Sequence, residues 1–266
     1  SGAVQLYGGD LFVDIENHYA NNSAQQSAGA IYINSVKSTE ILLVNFKNSN
    51  AKVTGGSLWI KLSSLKIIKS KFSYNFAQEG GAIYTTNINK IQILHCSFVK
   101  NEARISGKGG ALSLSKIKEL LIQYSLFFKN QGLRSAGAIY TSYASFLQIN
   151  ICTFIENMAN VEGGELLLEG TKLIQVNKTD FSTRSDSHNG AAISIQGQNV
   201  ECEIWLNLLT IMHHAARHEN SIINIGTVHN ISINHCNFVT ERKANQVLLI
   251  LLQPNILTYI FVYCFI

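Results

Sequence analysis

A glycine-centred phrase recurs along the chain at nearly constant spacing, and it constrains the fold more than any other feature. The phrase is best formed at Gly80-Gly81-Ala82-Ile83, and its second position falls at residues 2, 29, 56, 81, 110, 137, 164 and 191. The steps are therefore 27, 27, 25, 29, 27, 27 and 27 residues. A period of roughly 20–50 residues is typical of solenoids, in which each repeat buries its apolar face only by stacking on its neighbours.

Each step also carries an aromatic residue followed by asparagine three positions later. The pairs are Tyr19 with Asn22, Phe72 with Asn75, Phe98 with Asn101, Phe127 with Asn130 and Phe154 with Asn157. Phe46, Phe181 and Phe238 hold the aromatic position without the asparagine. The interval from Phe181 to Phe238 fits two turns, which predicts that Leu208 or Leu209 replaces the aromatic residue in the turn between them. We expect the asparagines to point inward at a corner and to bond the backbone and one another.

Apolar residues stand seven, five and two positions before each aromatic, as Leu65, Ile67 and Ser70 do before Phe72 with a serine at the last place. Residues two apart share one face of a strand, and the odd step between positions five and two requires a bend. The rows are rich in Ile, Val and Phe, and glycines interrupt every step, so strands are favoured over helices. The pattern predicts an all-β, right-handed, single-stranded parallel β-helix of the pectin-lyase-like type, with about ten coils of about 27 residues each.

Composition and cysteine placement narrow the function classes. Charged residues make up 14% of the chain, and the net charge of +4 comes from scattered lysines and arginines, so no nucleic-acid partner is predicted. Cys96, Cys152 and Cys236 share one repeat position. Cys96 and Cys152 stand two turns apart, about 9–10 Å, which exceeds the roughly 7 Å limit for a disulfide. We therefore expect buried free thiols. Spacings typical of zinc sites are absent, and we predict no metal and no cofactor.

The sequence offers little that resembles catalytic chemistry. Glu162, Glu165 and Glu169 lie close together, and we interpret them as solvated turn and strand charges. His213, His214 and His218 are the most chemical-looking group, and we interpret them as part of a local insertion or decorated turn rather than a metal site. We accordingly predict no catalytic residues and no enzyme.

Domain organisation follows from the repeat, which runs through the whole chain and predicts a single domain over residues 1–266, as a segment cut from a longer polypeptide. The apolar end leaves two alternatives open. Residues 247–266 continue the repeat register as a tenth coil, with Tyr259 and Phe261 at the positions seven and five before the aromatic, or they form a membrane helix.

Two surface features are candidate sites. Three sequons place N-glycans at Asn21, Asn177 and Asn230 if the chain is secreted by a eukaryote. One residue of the strand after the glycine phrase is aromatic in several turns, which makes a candidate contact strip for sugar or protein if it is exposed and a packing ladder if it is not. The residues of the strip are Tyr32, Trp59, Tyr84 and Tyr140.

The paired phrases, fullest in Gly80-Gly81-Ala82-Ile83 with Phe98-Val99-Lys100-Asn101, resemble the repeats of the chlamydial polymorphic outer-membrane proteins. They are also similar to repeats of large surface β-helix proteins of protists. The resemblance implies an extracellular or cell-surface location and a non-catalytic structural or adhesive role, as a segment of a filament or surface assembly. Partners would be other protein subunits, further coils of the same chain, or glycans. A carbohydrate-active or carbohydrate-binding β-helix is the alternative, because function does not follow from fold alone.

Overall fold

A computed structural model describes residues 2–105, 107–183, 190–198, 201–213, 221–226, 228–240, 248–252 and 258–262. Across these ranges the regular structure consists of β-strands, and every strand pairs in parallel with its equivalent one turn away. The strands form three sheets, which wrap around one continuous apolar core. The predicted parallel β-solenoid is therefore confirmed.

The first sheet has 17 strands in two rows. The row that follows the glycine phrase contains Val4–Tyr7, Ile31–Asn34, Leu58–Lys61, Leu166–Glu169, Ile193–Gln196, Ser221–Ile225 and Leu248–Leu252. The second row contains Leu11–Ile15, Ser38–Leu42, Ser64–Ile68, Leu173–Asn177, Glu203–Asn207, Asn230–Asn234 and Thr258–Val262. In three central turns the two rows join into the long strands Ile83–Leu94, Leu112–Gln123 and Ile139–Asn150.

The second and third sheets complete each turn. The second sheet carries the aromatic positions, in strands His18–Ala20, Asn45–Lys47, Lys71–Ser73, Ser97–Val99, Leu126–Phe128, Thr153–Ile155, Asp180–Thr183, Thr210–His213 and Asn237–Thr240. The third sheet has strands of only two residues: Ser23–Ala24, Asn50–Ala51, Phe76–Ala77, Glu102–Ala103, Gln131–Gly132 and Met158–Ala159. This third sheet was not anticipated from the sequence, because two residues are too few to show a strand period.

The aromatic register runs unbroken from Tyr19 to Phe238 and counts the turns. Eight steps separate these two residues, so a turn averages about 27 residues, and the expected number of about ten coils was slightly too high. Ile211 pairs with Phe181 and with Phe238, so it replaces the missing aromatic residue. The expectation of Leu208 or Leu209 was wrong, because the turn between them is three residues longer before the aromatic position than after it.

A left-handed residue three positions before each aromatic explains the odd step in the apolar pattern. Its φ lies between 48° and 58° in all nine described turns, at Glu16, Leu43, Lys69, His95, Tyr124, Ile151, Lys178, Leu208 and His235. Positive φ costs a non-glycine residue about 1–2 kcal/mol. The bend turns the chain from the first sheet into the second and lets side chains on both strands point into the core.

Stacked aromatic rings form the centre of that core. From Tyr19 through Phe181, successive ring centroids lie 4.7–5.1 Å apart and their planes are within 12°. The thiols of Cys96, Cys152 and Cys236 are buried and free, as predicted. Burial raises the pKa of Cys96 to about 12 and that of Cys152 to about 11, so these thiols are unreactive near neutral pH.

The buried asparagines form the predicted ladder along the corner after the second sheet. Asn75, Asn101 and Asn130 each donate an Nδ2 hydrogen bond to the Oδ1 of the next asparagine, over 2.8–2.9 Å. The same amide groups donate to backbone carbonyls, as Asn130 Nδ2 does to the Phe98 oxygen at 3.0 Å. Each Oδ1 also accepts a backbone N–H from the turn before. Four otherwise unpaired groups are thereby satisfied at every rung.

Glu165 ends this ladder. The aromatic Phe181 has no asparagine three residues later, and Asn157 Nδ2 donates instead to Glu165 Oε2 at 2.5 Å. Glu165 occupies the third position of the glycine phrase, where other turns place Ala, and its side chain is fully buried. Burial raises its pKa well above the ordinary value of 4.5. The prediction of a solvated charge was wrong for Glu165, because this position faces the core.

We expect Glu165→Gln to flatten the pH dependence of stability. The folded protein holds the Glu165 proton more tightly than the unfolded chain, so the free energy of unfolding falls as pH rises above about 4.5 and through the raised pKa. Glutamine keeps the acceptor for Asn157 and cannot ionise. At pH 7.5 we expect the variant to be more stable than the parent by on the order of 1 kcal/mol. Urea titrations at several pH values between 5 and 8 measure this, and identical pH slopes for the two proteins would contradict it.

The last described strands continue the solenoid. Thr258–Val262 pairs in parallel with Asn230–Asn234, with Tyr259 opposite Ile231 and Phe261 opposite Ile233. This is the register predicted for a further coil. Within the described ranges, no helix is long and apolar enough to cross a bilayer.

Candidate functional site: an outward aromatic strip

The residues of the predicted contact strip share one outward-facing position of the first sheet. Tyr32 pairs with Trp59, Trp59 with Tyr84, Tyr84 with Ser113, and Ser113 with Tyr140. The first three aromatic residues are therefore contiguous, and Tyr140 is separated from them by one serine. The Tyr32 and Trp59 rings are stacked, with centroids 4.4 Å apart and planes within 1°.

The strip is half-buried rather than sealed in the core. Tyr32, Trp59, Tyr84 and Tyr140 all keep part of their surface in solvent. One further aromatic residue, Tyr7, extends the strip at its open end: it is 64% exposed, and its ring centroid lies 5.6 Å from that of Tyr32. Sequence reasoning missed Tyr7 because Gln5 holds the strip register in that turn. The signal was available, since Tyr7 lies two residues after Gln5 and so shares its face.

A polar cluster fills the gap at Ser113. Lys108 Nζ donates to the Tyr140 hydroxyl at 3.2 Å and lies 3.5 Å from Glu169 Oε1. The Tyr140 hydroxyl donates to Glu169 Oε2 at 2.6 Å. The pKa of Tyr140 is raised, first by burial and then by the hydrogen bond to this carboxylate. The cluster is held by contacts among its own members, which leaves no group poised to attack a substrate.

Two carboxylates of the predicted solvated group belong to this cluster. Glu169 is buried, and Glu162 is half-buried and accepts a hydrogen bond from Gln196 Nε2 at 2.6 Å. Burial and the nearby Glu169 charge raise the pKa of Glu162, while Lys108 and Arg134 oppose that shift. The solvated reading was therefore wrong for Glu169, whose outward strand position is covered by Lys108 and Tyr140.

Other sequence-predicted sites are scattered over the surface. Asn21 and Asn230 are exposed, whereas Asn177 is half-buried and its Oδ1 accepts from Asn207 Nδ2 at 3.2 Å. Glycosylation at these three residues stays a prediction. His214 and His218 lie outside the described residues. Among the residues that the structure describes, no group of three or more His, Cys, Asp or Glu side chains is arranged to hold a metal ion.

Comparison with known proteins supports the repeat assignment. Residues 69–86 match the family model of the Chlamydia polymorphic membrane protein repeat. The suspected resemblance is thereby confirmed. The matched stretch contains the aromatic residue Phe72, the ladder residue Asn75 and the glycine phrase at 80–83.

Three longer relatives come from Dictyostelium discoideum. The chain is 26% identical over 153 residues to metabotropic glutamate receptor-like protein R, and 28% identical over 153 residues to metabotropic glutamate receptor-like protein Q. It is 28% identical over 105 residues to metabotropic glutamate receptor-like protein P. The matches cover 58%, 58% and 40% of this chain, but only 9%, 10% and 7% of the respective relatives. No solved structure matches the chain.

Proposed function

We propose that this chain is a non-catalytic β-helix segment of a larger cell-surface protein and serves a structural and adhesive role. The polymorphic membrane protein repeat and the receptor-like names of the relatives support a surface location. The observation that carries the proposal is the aromatic strip, in which Tyr7, Tyr32, Trp59 and Tyr84 offer partly exposed rings along one side of the rod. Aromatic side chains with one wet side are enriched where proteins contact partners.

The stacked architecture suits such a role. Each turn repeats the same backbone at about 4.8 Å, so outward side chains form straight rows that meet a partner over several turns. The rod also continues naturally into further coils, because its end strands present unpaired backbone groups. Proposed partners are therefore other subunits, further coils and glycans, in a filament or another surface assembly.

We expect Trp59→Ala to reduce adhesion of beads coated with this protein to cells that they otherwise bind. Truncation of an aromatic anchor at the centre of an interface costs roughly 2 kcal/mol, which corresponds to about a 30-fold loss of affinity. Trp59→Phe, which keeps a stacked ring beside Tyr32, is expected to retain most of the binding. The matched control is Tyr124→Ala, an exposed tyrosine on another side of the rod. Equal adhesion by Trp59→Ala and Tyr124→Ala would refute the role of the strip.

A carbohydrate-active β-helix is the second candidate, and the closeness of Glu162 and Glu169 beside Lys108 favours it. Glycoside hydrolysis uses two carboxylates on either side of the scissile bond. Glu169 is engaged by Tyr140 and Lys108, which argues against this role. Incubation with uronate and neutral polysaccharides separates the candidates: we expect no turnover, and product release that scales with protein concentration and is lost in Glu169→Gln would establish an enzyme.

A further inference from the structure

Loop lengths vary most at one place on the rod. The step from the aromatic position to the second glycine is ten residues in the turns of Phe46, Phe127 and Phe154. It is nine residues in the turn of Phe72 and twelve in the turn of Phe98, so the shortest of these connections lies directly beside the longest. A short loop between two longer neighbours leaves a recess, because stacked turns keep the same backbone spacing along the axis.

The structure has a groove of about 220 Å³ at this point. Phe76, Ala77 and Gln78 of the short turn form its floor. Lys52 of the preceding turn stands on one side, and Arg104 and Ile105 of the following turn stand on the other. The groove therefore spans three successive turns and is closed in along the rod axis.

The groove carries positive charge over an aromatic floor. The Arg104 guanidinium carbon lies 3.8 Å from the centroid of the Phe76 ring, and Arg104 Nε is 3.0 Å from Glu102 Oε2. Lys52 is exposed and forms no ion pair with the described residues. Two cations thus face one carboxylate, which leaves room for an anionic group between Lys52 and Arg104.

Backbone strain at the rim marks the same place. Ile105 has a φ of +66° and is 77% exposed. A β-branched residue in the left-handed region is a conformational outlier, and an exposed apolar side chain there gains nothing from the core. Such outliers concentrate at ligand-binding positions, where the surrounding structure holds them.

We propose that this groove binds one carboxylated sugar residue of an acidic glycan. The sugar carboxylate pairs with Lys52 and Arg104, and the apolar face of the ring packs against Phe76 and Ile105. Guanidinium groups recognise carboxylates through paired hydrogen bonds. The proposal deepens the proposed surface role by naming a ligand class, and it uses a site separate from the aromatic strip.

The size of the groove favours a sugar over a peptide. Sites for drug-sized ligands occupy roughly 300–1,000 Å³, so a recess of 220 Å³ suits a single monosaccharide-sized group. The turns on both sides close its ends, whereas an extended peptide needs an open channel or a free sheet edge. An aromatic floor beside charged groups also matches the mixed apolar and polar surface of a uronic acid.

The test is calorimetric titration of the whole chain with trigalacturonate and with the neutral maltotriose. We expect trigalacturonate to bind at least tenfold more tightly, with an affinity that falls as salt is raised. Lys52→Gln and Arg104→Gln are each expected to weaken trigalacturonate binding about five- to tenfold. Lys71→Gln, at an exposed lysine of the second sheet, is the matched control and is expected to change it less than about twofold.

Each contrary result overturns the proposal in a recognisable way. Equal binding of the two trisaccharides, binding of neither, or an unchanged affinity in Lys52→Gln would remove the acidic-sugar site. Tighter binding of a glutamate-rich peptide than of trigalacturonate would assign the groove to an acidic protein partner instead. Unfolding midpoints equal to that of the parent confirm that the variants are folded. Loss of adhesion in Trp59→Ala is read separately, so failure here leaves the proposed surface role standing.

Discussion

Gly110→Ala is expected to destabilise the protein by about 3 kcal/mol or more, through overpacking against backbone rather than through backbone conformation. A Cβ on Gly110 would lie 2.1 Å from the Gly137 carbonyl oxygen and 2.5 Å from backbone atoms of Gln131. Backbone atoms of two stacked elements cannot move aside as a flexible side chain does. The glycine phrase is therefore conserved within the chain where one turn presses on the next, and chemical denaturation measures the loss.

Two comparisons isolate that cause. Gly8→Ala adds a methyl group with no atom within 4 Å, at a φ of +69°, so it is expected to cost only about 1 kcal/mol. Ala191 stands at the same place in the phrase as Gly110, in a turn whose successor lacks the phrase, and its N–H bonds the Ser221 carbonyl at 2.8 Å. A Gly110→Ala variant as stable as Gly8→Ala would show that the turns are not in close contact at this point.

Asn130→Ala is expected to reduce the free energy of unfolding by about 3–5 kcal/mol. Asn130 Oδ1 accepts from the backbone N–H and the Nδ2 of Asn101, both at 2.9 Å. Its Nδ2 donates to the Phe98 carbonyl oxygen at 3.0 Å and to Asn157 Oδ1 at 2.8 Å. Alanine leaves these buried groups without partners, and each such group costs about 1–3 kcal/mol, although neighbouring losses do not add fully.

Asn48→Ala provides the control for the ladder. Asn48 is exposed at a corner, and its Nδ2 donates only to Asn21 Oδ1, at 3.3 Å, among the bonds that the structure describes for its side chain. We expect this change to alter stability by no more than about 0.5 kcal/mol. Similar losses for Asn48→Ala and Asn130→Ala, measured by the same denaturation experiment, would contradict a buried ladder.

The sequence predicted the parts of the fold that repeat with every turn. Equivalent residues stack directly, so the aromatic file from Tyr19 to Phe181 and the asparagine ladder could both be read from spacing alone. The left-handed residue before each aromatic was visible only as an odd step. Its conformation could not be read from residue type, because Lys69, His95 and Ile151 have nothing in common except their position.

The departures from the repeat were harder to interpret, and they hold most of the functional interest. Glu165 was read as a surface charge because glutamate is rarely buried, whereas its position in the phrase faces the core. Lys108 belongs to the strip surface because its side chain crosses to Tyr140 from a neighbouring turn, which no spacing rule predicts. The groove beside Phe76 was signalled by the unequal steps of 25 and 29 residues. That signal indicates a recess, but it does not say which side chains line it.

Distances between spin labels along one row test the central claim most directly. Lys47, Phe128, Ile155 and Ser182 occupy the same position of the second sheet in the turns of Phe46, Phe127, Phe154 and Phe181. Labels attached to cysteines at Lys47 and at each of the other three positions are three, four and five turns apart. Burial of the native thiols, with the pKa of Cys96 raised to about 12, keeps them from being labelled.

Registered stacking predicts that the three distances increase by about 4.8 Å for each added turn, in a straight line against turn number. The label linkers shift all three values together and leave the slope unchanged. Distances that fail to rise with turn number, or that rise by a different amount at each step, would mean that successive 27-residue units do not lie on one axis.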